Sequence, residues 1–259
     1  MKAIIMAAGF GSRIQGVIDN KPKCLIEVEG QTLIGRMVGM LRRRGIDDIS
    51  VITGFKSELV HKELGSLVRY FHNPFYRVTN SIASLWFARE LLEGDLLLAN
   101  ADLYFQDEVL DIALAQNKPV VMLSDSTRIE TADFRFAVEG DRILKTGNNL
   151  KDHETDCEYV GMVRIDQIFV GRFKKAMERM VCEGDYGNWW EGVLYEFIEA
   201  GDKVCHEDIK GFFWTEIDHA GDYRRLTRWI SRNAVQRPRK STQRLTRPFT
   251  RSVPDLSTA

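Results

Sequence analysis

Apolar and polar positions follow two distinct rhythms along the first half of the chain. Residues 3–8 form an unbroken apolar run, which is typical of a strand buried on both faces of a parallel sheet. Residues 32–44 instead carry apolar side chains at intervals of three and four, which predicts an amphipathic helix that ends near Gly45. Strand-like and helix-like segments continue in turn to residue 124, an order that predicts a mostly parallel sheet covered by helices.

The same periodicities predict the other elements. Further strands are expected at residues 48–54, 68–73, 95–102 and 118–124, with helices at 57–64, 81–92 and 107–116. After residue 125 the pattern predicts a hairpin at 134–145, strands at 158–165 and 212–218, and helices at 170–182, 188–200 and 222–230. The expected fold is an α/β domain with a Rossmann-like, mixed but mostly parallel central sheet flanked by helices.

Composition places the chain among soluble globular proteins. Of its 259 residues, 44% are hydrophobic and 28% are charged, and the formal net charge is −1. Such a balance argues against a general affinity for nucleic acid or anionic membranes. Apolar runs fall short of the ~20 residues that a membrane helix needs, and the four cysteines form no C-x-x-C pair. We expect a cytoplasmic protein with reduced thiols, and a homo-oligomer stays open.

Charge is unevenly distributed at the end of the chain. Residues 231–259 contain seven lysines and arginines against one acidic residue, with few apolar side chains. This composition predicts disorder, because too little apolar surface is available to bury. We therefore divide the chain into a folded domain, residues 1–230, and a basic C-terminal tail, residues 231–259.

A glycine-rich segment follows the first predicted strand and is the most informative motif. Residues 7–13 read Ala-Ala-Gly-Phe-Gly-Ser-Arg, and Pro22-Lys23 comes soon after. A loop at the carboxyl end of a parallel strand is where open α/β sheets bind ligands, and glycines let backbone N–H groups approach phosphate oxygens. A Rossmann loop would need a third glycine near position 14, where Ile14 stands, and a Walker loop would need Gly-Lys-Ser/Thr. A tight turn beside surface cations is the alternative.

The combination of this segment with Pro22-Lys23 resembles the opening motif of the sugar-phosphate nucleotidyltransferase superfamily. The resemblance implies the nucleotidyltransferase fold, with a loop that holds a nucleoside triphosphate and a lysine that contacts its phosphates. Lys23 and Arg13 are then expected to act in catalysis. The nucleotide-binding residues implied here are Ala7, Ala8, Gly9, Gly11, Ser12, Arg13 and Lys23.

Two further segments match the places where this superfamily holds a catalytic Mg²⁺. Asn100-Ala101-Asp102 closes a predicted buried strand, and Glu216-Ile217-Asp218 lies near the end of the domain. The resemblance implies that Asp102 and Asp218 bind Mg²⁺, with Asp102 also next to the nucleotide. Two carboxylates suffice, because Mg²⁺ usually completes its shell with water and phosphates. The alternative is that Asp102 caps a helix and Asp218 ends a solvated strand.

Within the superfamily the chain most resembles the phosphocholine cytidylyltransferase branch, over about residues 1–230. The matching segments are residues 73–76, 80–86 and 158–161, together with the late Glu-Ile-Asp. The resemblance implies CTP as the donor, with Asn80 and Ser84 near the nucleotide. A helix N-cap and a helix-surface hydroxyl are the alternative interpretation of these two residues.

Residues 189–191, Trp-Trp-Glu, are the candidates for the acceptor site. Aromatic faces attract organic cations, and we assign Trp190, Glu191 and Glu158 to acceptor binding. Neighbouring helix positions point about 100° apart, so at most one tryptophan faces a ligand, and the other interpretation is a helix core. Where choline-using enzymes carry a further tryptophan, residues 133–136 read Asp-Phe-Arg-Phe. Phosphoethanolamine and aminoethylphosphonate therefore stay open beside phosphocholine.

The implied reaction is attack by a phosphate or phosphonate oxygen of the acceptor on the α-phosphorus of CTP, with release of pyrophosphate. The nucleophile is already anionic at neutral pH, because the second pKa of a phosphomonoester is about 6. Catalysis is then expected to depend on positioning and charge neutralisation. Two alternatives remain: a sugar-1-phosphate uridylyl-, thymidylyl- or guanylyltransferase, and a nucleotide-sensing or RNA-binding module that uses the basic tail.

Overall fold

The structure, a computed structural model, describes residues 1–11 and 20–234. Thirteen strands lie within these residues: β1 Lys2–Ala7, β2 Glu27–Val28, β3 Gln31–Thr32, β4 Ile49–Thr53, β5 Arg69–His72, β6 Leu96–Asn100, β7 Leu103–Phe105, β8 Val120–Asp125, β9 Arg135–Glu139, β10 Arg142–Gly147, β11 Cys157–Ile165, β12 Cys205–Asp208 and β13 Trp214–Glu216. The α-helices of the same residues are α1 Leu33–Arg43, α2 Ser57–Leu64, α3 Ser81–Phe87, α4 Asp107–Leu114, α5 Gln167–Glu183, α6 Gly192–Glu199 and α7 Ala220–Ala234.

Nine strands form one central sheet in the order β5-β4-β1-β6-β11-β8-β12-β10-β9. The four strands from β5 to β6 are parallel to one another. Strand β11 is antiparallel to both β6 and β8, and β9 and β10 form an antiparallel hairpin. The predicted Rossmann-like mixed sheet is confirmed. Its first four strands are all parallel, whereas the rest of the sheet combines antiparallel pairs with one further parallel pair, β8 with β12. Of these later strands, β9 and β10 are joined by a connection short enough only for antiparallel neighbours.

Strand β1 shows why the sheet is buried on both faces. Ile4 and Met6 join the apolar cluster on one face, whereas Ala3, Ile5 and Ala7 join the cluster on the other. Successive side chains of a strand point to opposite faces, so an unbroken apolar run serves two cores at once. This arrangement fixes the carboxyl end of β1 in the middle of the sheet, between β4 and β6.

Several predicted helix bounds differ from those observed. The predicted helix at 81–92 ends at Phe87 and continues as a 3-10 turn, Arg89–Leu91. The predicted helix at 188–200 begins only at Gly192, because the Trp190 N–H donates to Ser81 Oγ at 2.9 Å instead of extending a helix. The short strands β2, β3, β7 and β12 have no counterpart in the prediction, since two to four residues carry little periodicity.

The last helix extends further than the sequence predicted. It continues to Ala234, so residues 231–234, which we had assigned to the disordered tail, are helical. The rest of that tail lies outside the described residues. In the described ranges, 1–11 and 20–234, no helix combines the length and the apolar character needed to cross a membrane.

Candidate active site

A cavity of about 600 Å³ opens at the carboxyl ends of β1 and β6. The chain passes from β1 to β4 on one side and later returns to β6 on the other, and such a switch point is where open α/β sheets bind ligands. One wall consists of the loop after β1 and the start of α3. The opposite wall is formed by aromatic and acidic side chains from the second half of the chain.

The glycine loop lies on the cavity wall, and its binding of phosphate stays a prediction. Ala7, Ala8, Gly9 and Gly11 all line the cavity. Gly11 has φ +62°, and a Cβ there would lie 2.8 Å from Lys23 Cγ. Any larger residue at position 11 would therefore push the Lys23 side chain aside.

Ser12 and Arg13, which the sequence assigned to the nucleotide, lie outside the described residues. Their predicted contacts stay predictions. The segment that carries Lys23 resumes at Asn20, and Pro22 leads into a short 3-10 helix, Lys23–Leu25.

Lys23 joins the two predicted metal-binding aspartates. Its Nζ lies 3.2 Å from Asp102 Oδ2 and donates a second hydrogen bond to Asp218 Oδ1. Burial alone would lower the pKa of Lys23, but the charges of Asp102 and Asp218 outweigh it and raise the pKa above its ordinary value. The ammonium group is therefore charged at neutral pH. Two carboxylates far apart in sequence thus converge on one cation.

The backbone around Asp218 is held by two elements. The Ile217 N–H donates to the Asp102 carbonyl at 3.1 Å, next to the pairing of β13 with β7. Asp222, in the first turn of α7, accepts hydrogen bonds from the N–H groups of Asp218 and His219 at 3.1 and 2.7 Å. A carboxylate in the first turn also suits the positive end of the helix dipole. The start of α7 therefore positions Asp218 beside Asp102.

The two aspartates suit a magnesium ion. Their carboxylates already share one cationic group, and oxygen donors are those that Mg²⁺ prefers. Across residues 1–11 and 20–234, no cluster of three or more His, Cys, Asp or Glu side chains is arranged as a metal site. The protein would thus supply two ligands, leaving the remaining positions to water and phosphate.

A second pair of carboxyl groups lies deeper in the cavity. Glu191 and Glu216 both line it, and Asn100 Nδ2 donates to Glu191 Oε1 at 3.1 Å and to Glu216 Oε1 at 3.2 Å. Burial raises the pKa of Glu191 to about 7. Burial, and then Asp102 and Asp218, raise the pKa of Glu216 well above its ordinary value. The sequence singled out Glu191 but assigned no role to Asn100 or Glu216, although both belong to the quoted Asn-Ala-Asp and Glu-Ile-Asp segments.

Aromatic side chains complete the wall opposite the glycine loop. Phe134 stacks on Tyr195 with ring centroids 4.6 Å apart, and Trp189 meets the Phe134 edge at 6.1 Å. Tyr159 also lines the cavity, and its buried hydroxyl makes no hydrogen bond within the described residues. Of these four residues, only Trp189 was among the acceptor candidates predicted from the sequence, within residues 189–191, and the role was assigned to Trp190.

The structure places Trp189, not Trp190, at the cavity. Trp189 is 48% exposed and lines the cavity, whereas Trp190 is fully buried, and its indole N–H donates to Asn100 Oδ1 at 3.0 Å. The expectation that one of the two faces a ligand agrees with this arrangement, but Trp190 itself does not reach the cavity. The reason is local: residues 188–191 form turns, so helical spacing does not describe them.

Asn80 and Ser84 both line the cavity on the side of the glycine loop. Asn80 is also the N-cap of α3, where its side chain accepts the Ser81 N–H. Ser84 is buried and accepts a hydrogen bond from Asn73 Nδ2 at 2.9 Å. The alternative structural interpretation thus holds for the Asn80 cap, whereas the buried Ser84 is not a helix-surface hydroxyl, and the nucleotide contacts of both residues stay predictions.

Glu158 lies away from the cavity. Its Oε1 accepts the Asp133 N–H at 2.9 Å, and its Oε2 is 3.3 Å from Arg128 Nη1. It is absent from the residues that line the cavity, in contrast to the neighbouring Tyr159. Successive residues of β11 face opposite sides, so the acceptor role that we assigned to Glu158 has no direct geometric support.

We expect Glu158→Gln to stabilise the protein at alkaline pH. Burial raises the pKa of Glu158 to about 7, outweighing the nearby Arg128. The folded state then binds a proton that the unfolded state releases near pH 4.5, so Glu158 reduces stability as pH rises through about 7. The variant should gain about 1–3 kcal/mol in unfolding free energy at pH 8 and little at pH 5, measured by urea titration.

The exposed Glu139→Gln variant is the control for this stability measurement. A loss of stability in Glu158→Gln at pH 8 would show that the Arg128 pair outweighs the cost of burial. The Glu158→Gln variant also tests the predicted acceptor role. If Glu158 contacted the acceptor, the substitution would change the KM for the acceptor.

Comparison with known proteins supports the chemistry of this site. Residues 3–145 match the MobA-like NTP transferase domain family. The chain is 26% identical to the CTP:phosphoglutamine cytidylyltransferase of Campylobacter jejuni, over 86% of this chain and 97% of that protein. It is 27% identical to the choline-phosphate cytidylyltransferase of Streptococcus pneumoniae, over 87% and 96% respectively.

A comparison with solved structures finds a similar fold. The solved structure of CTP:phosphocholine cytidylyltransferase from Streptococcus pneumoniae superposes with a TM-score of 0.72, over 88% of this chain and 98% of that one, at 23% identity. The predicted nucleotidyltransferase fold is therefore confirmed. Since the matching domain spans more than half of the 259 residues and contains the glycine loop, Lys23 and Asp102, the chain belongs to the MobA-like NTP transferase family.

Proposed function

We propose that this protein transfers CMP from CTP to a small phosphate or phosphonate that carries an amine, and releases pyrophosphate. Phosphoethanolamine and aminoethylphosphonate are acceptors of this class, and phosphocholine carries a quaternary ammonium group in place of the amine. The observation that carries the proposal is the convergence of Lys23, Asp102 and Asp218 beside the glycine loop. Two cytidylyltransferases that match this chain over nearly their whole length support CTP as the donor.

The charge of the cavity favours an acceptor with an amine. Within the described residues, the cavity lining contains five carboxyl groups and one lysine, Lys23. The carboxyl groups are those of Asp102, Asp133, Glu191, Glu216 and Asp218. Burial raises the pKa values of Glu191 and Glu216, and a cation beside them lowers those values again, so an ammonium group stabilises the ionised carboxylates. A sugar 1-phosphate brings no such charge. The stacked Phe134 and Tyr195 rings add faces that attract a cation. This charge balance is the reason to prefer an amine-bearing acceptor over the sugar-1-phosphate alternative.

In the reaction, an acceptor oxygen forms a bond to the α-phosphorus of CTP while the bond to the pyrophosphate oxygen breaks. The attacking oxygen carries no proton at neutral pH, so no general base is required. The Lys23 ammonium, held charged by the two aspartates, neutralises phosphate charge that builds up in the transition state. Mg²⁺ bound by Asp102 and Asp218 would supply further charge neutralisation. The protein's main contribution is then to hold two anions in line.

A matrix of donors and acceptors tests the proposal. CTP, UTP, GTP and dTTP are each combined with phosphocholine, phosphoethanolamine, aminoethylphosphonate and glucose 1-phosphate, with Mg²⁺ and a pyrophosphate readout. We expect CTP with at least one amine-bearing acceptor to exceed every glucose 1-phosphate reaction by about tenfold or more in kcat/KM. Turnover confined to glucose 1-phosphate with UTP or dTTP would contradict the proposal. The RNA-binding alternative depended on the basic tail, most of which lies beyond the described residues.

A further inference from the structure

A chain of hydrogen bonds links three distant segments behind the acidic end of the cavity. The Trp190 indole N–H donates to Asn100 Oδ1 at 3.0 Å. Asn100 Nδ2 donates in turn to Glu191 Oε1 and Glu216 Oε1 at 3.1 and 3.2 Å. The segment before α6, the end of β6 and the end of β13 are thereby joined through one amide group.

The Trp190 indole fixes which way the Asn100 amide faces. An indole nitrogen can only donate a hydrogen bond, so it requires the amide oxygen and directs both amide hydrogens toward the carboxyl groups. Trp190 has little freedom to move, since it is fully buried and its backbone N–H donates to Ser81 Oγ. If the indole donor were absent, the amide could rotate and present its oxygen to a carboxyl group.

The two carboxyl groups keep one oxygen each for a ligand. Glu191 Oε1 and Glu216 Oε1 surround a single nitrogen, which brings two carboxyl groups from different segments together. Neither Oε2 atom makes a hydrogen bond with another residue of the described part of the chain, and the backbone N–H of Glu191 also donates to the carboxyl group of the same residue. Both side chains line the cavity. An ammonium group also has several N–H donors on one nitrogen, so it can donate hydrogen bonds to both carboxyl groups at once.

We propose that Trp190 and Asn100 are positioning residues that hold Glu191 and Glu216 together as a receptor for the amine of the acceptor. The inference rests on the proposed function and names the residues that give it specificity. Trp190 acts at a distance, through Asn100, and never touches the ligand. Asn100 uses both of its N–H donors on the carboxyl groups, so it acts through them as well.

The test compares two acceptors that differ only in the amine: phosphoethanolamine and ethyl phosphate. Trp190→Phe keeps an aromatic ring and removes the indole N–H. We expect wild-type protein to prefer phosphoethanolamine by tenfold or more in kcat/KM, and Trp190→Phe to reduce this preference at least fivefold, mainly through a higher KM for phosphoethanolamine. The KM for CTP should change less than twofold, which separates loss of the receptor from general damage.

Trp214→Phe is the matched control. Its indole is also buried and donates to a carboxylate, Asp125 Oδ2 at 2.7 Å, but neither residue lines the cavity. We expect a similar loss of melting temperature in both variants and a wild-type amine preference in the control alone. If Trp190→Phe does not fold, Glu191→Gln, which keeps the side-chain shape, is expected to lose the preference instead.

The outcomes separate the two proposals. If wild-type protein transfers CMP to no amine-bearing acceptor, the proposed function fails. If it uses phosphoethanolamine and ethyl phosphate equally well, or if Trp190→Phe and Glu191→Gln keep the wild-type preference, the positioning inference fails while cytidylyl transfer stands. A preference lost equally in Trp214→Phe also overturns the inference, because a general structural effect would then explain it.

Discussion

Asn in place of Asp102 or of Asp218 is expected to lower turnover by about a thousandfold or more, equivalent to ~4 kcal/mol of transition-state stabilisation. An amide keeps the shape of the carboxylate but removes the charge that attracts Lys23 and a divalent cation. The fold should persist, because in either variant Lys23 keeps the other aspartate as a partner. Pyrophosphate release under saturating CTP measures turnover, and thermal melts measure the fold.

Asp47→Asn is a suitable control for these two variants. Asp47 is exposed, its Oδ1 lies 3.5 Å from Arg42 Nε, and it is not among the residues that line the cavity. Its turnover should stay within twofold of wild type. Near-wild-type pyrophosphate release by both Asp102→Asn and Asp218→Asn would show that the two carboxylates do not form the reaction centre.

Replacement of Lys23 by alanine is expected to lower kcat/KM by about a hundredfold to a thousandfold, the cost of deleting one donor that stabilises transition-state charge. The change also leaves Asp102 and Asp218 without their shared cation in a partly buried site. Lys23→Ala should therefore melt at a lower temperature than wild type, and added Mg²⁺ should raise its melting temperature more than that of wild type.

Lys21→Ala provides the comparison, because Lys21 is exposed and only two residues away. It should keep both turnover and the wild-type response to Mg²⁺. A Lys23→Ala variant with less than a threefold loss in kcat/KM would contradict the catalytic role. A melting temperature that does not respond to Mg²⁺ would contradict the view that Lys23 and a divalent cation share one pair of carboxylates.

The sequence predicted the elements and residues whose signals are local. Helix α2 was predicted with its observed bounds, Ser57–Leu64, and α1 within one residue of each end. Lys23 and Asp102 were identified through the family resemblance, supported by a glycine loop and a buried strand that end at the same edge of the predicted parallel sheet. Asp218 was identified through the family resemblance, and the structure brings its carboxylate to the same lysine.

What the sequence missed depends on contacts between distant segments. The Asn100 amide forms hydrogen bonds with Trp190, Glu191 and Glu216. Spacing along the chain does not predict contacts of this kind. A helix was predicted across both tryptophans and the acceptor role was assigned to Trp190, yet the helix begins only at Gly192. Glu158 was assigned through its segment, while the pleat of β11 turns Tyr159, and not Glu158, toward the cavity.

Because the four parallel strands β5, β4, β1 and β6 all precede the mixed remainder of the sheet, the cavity walls assigned to the two substrates come largely from separate stretches of the chain. The wall on the donor side comes from residues 7–102 together with Asp218, whereas the aromatic wall comes from Phe134, Tyr159, Trp189 and Tyr195. Mutations at these four aromatic positions can therefore alter which metabolite is activated while Lys23, Asp102 and Asp218 stay in place. Related proteins can therefore change the acceptor that they use and still keep the residues on the donor side.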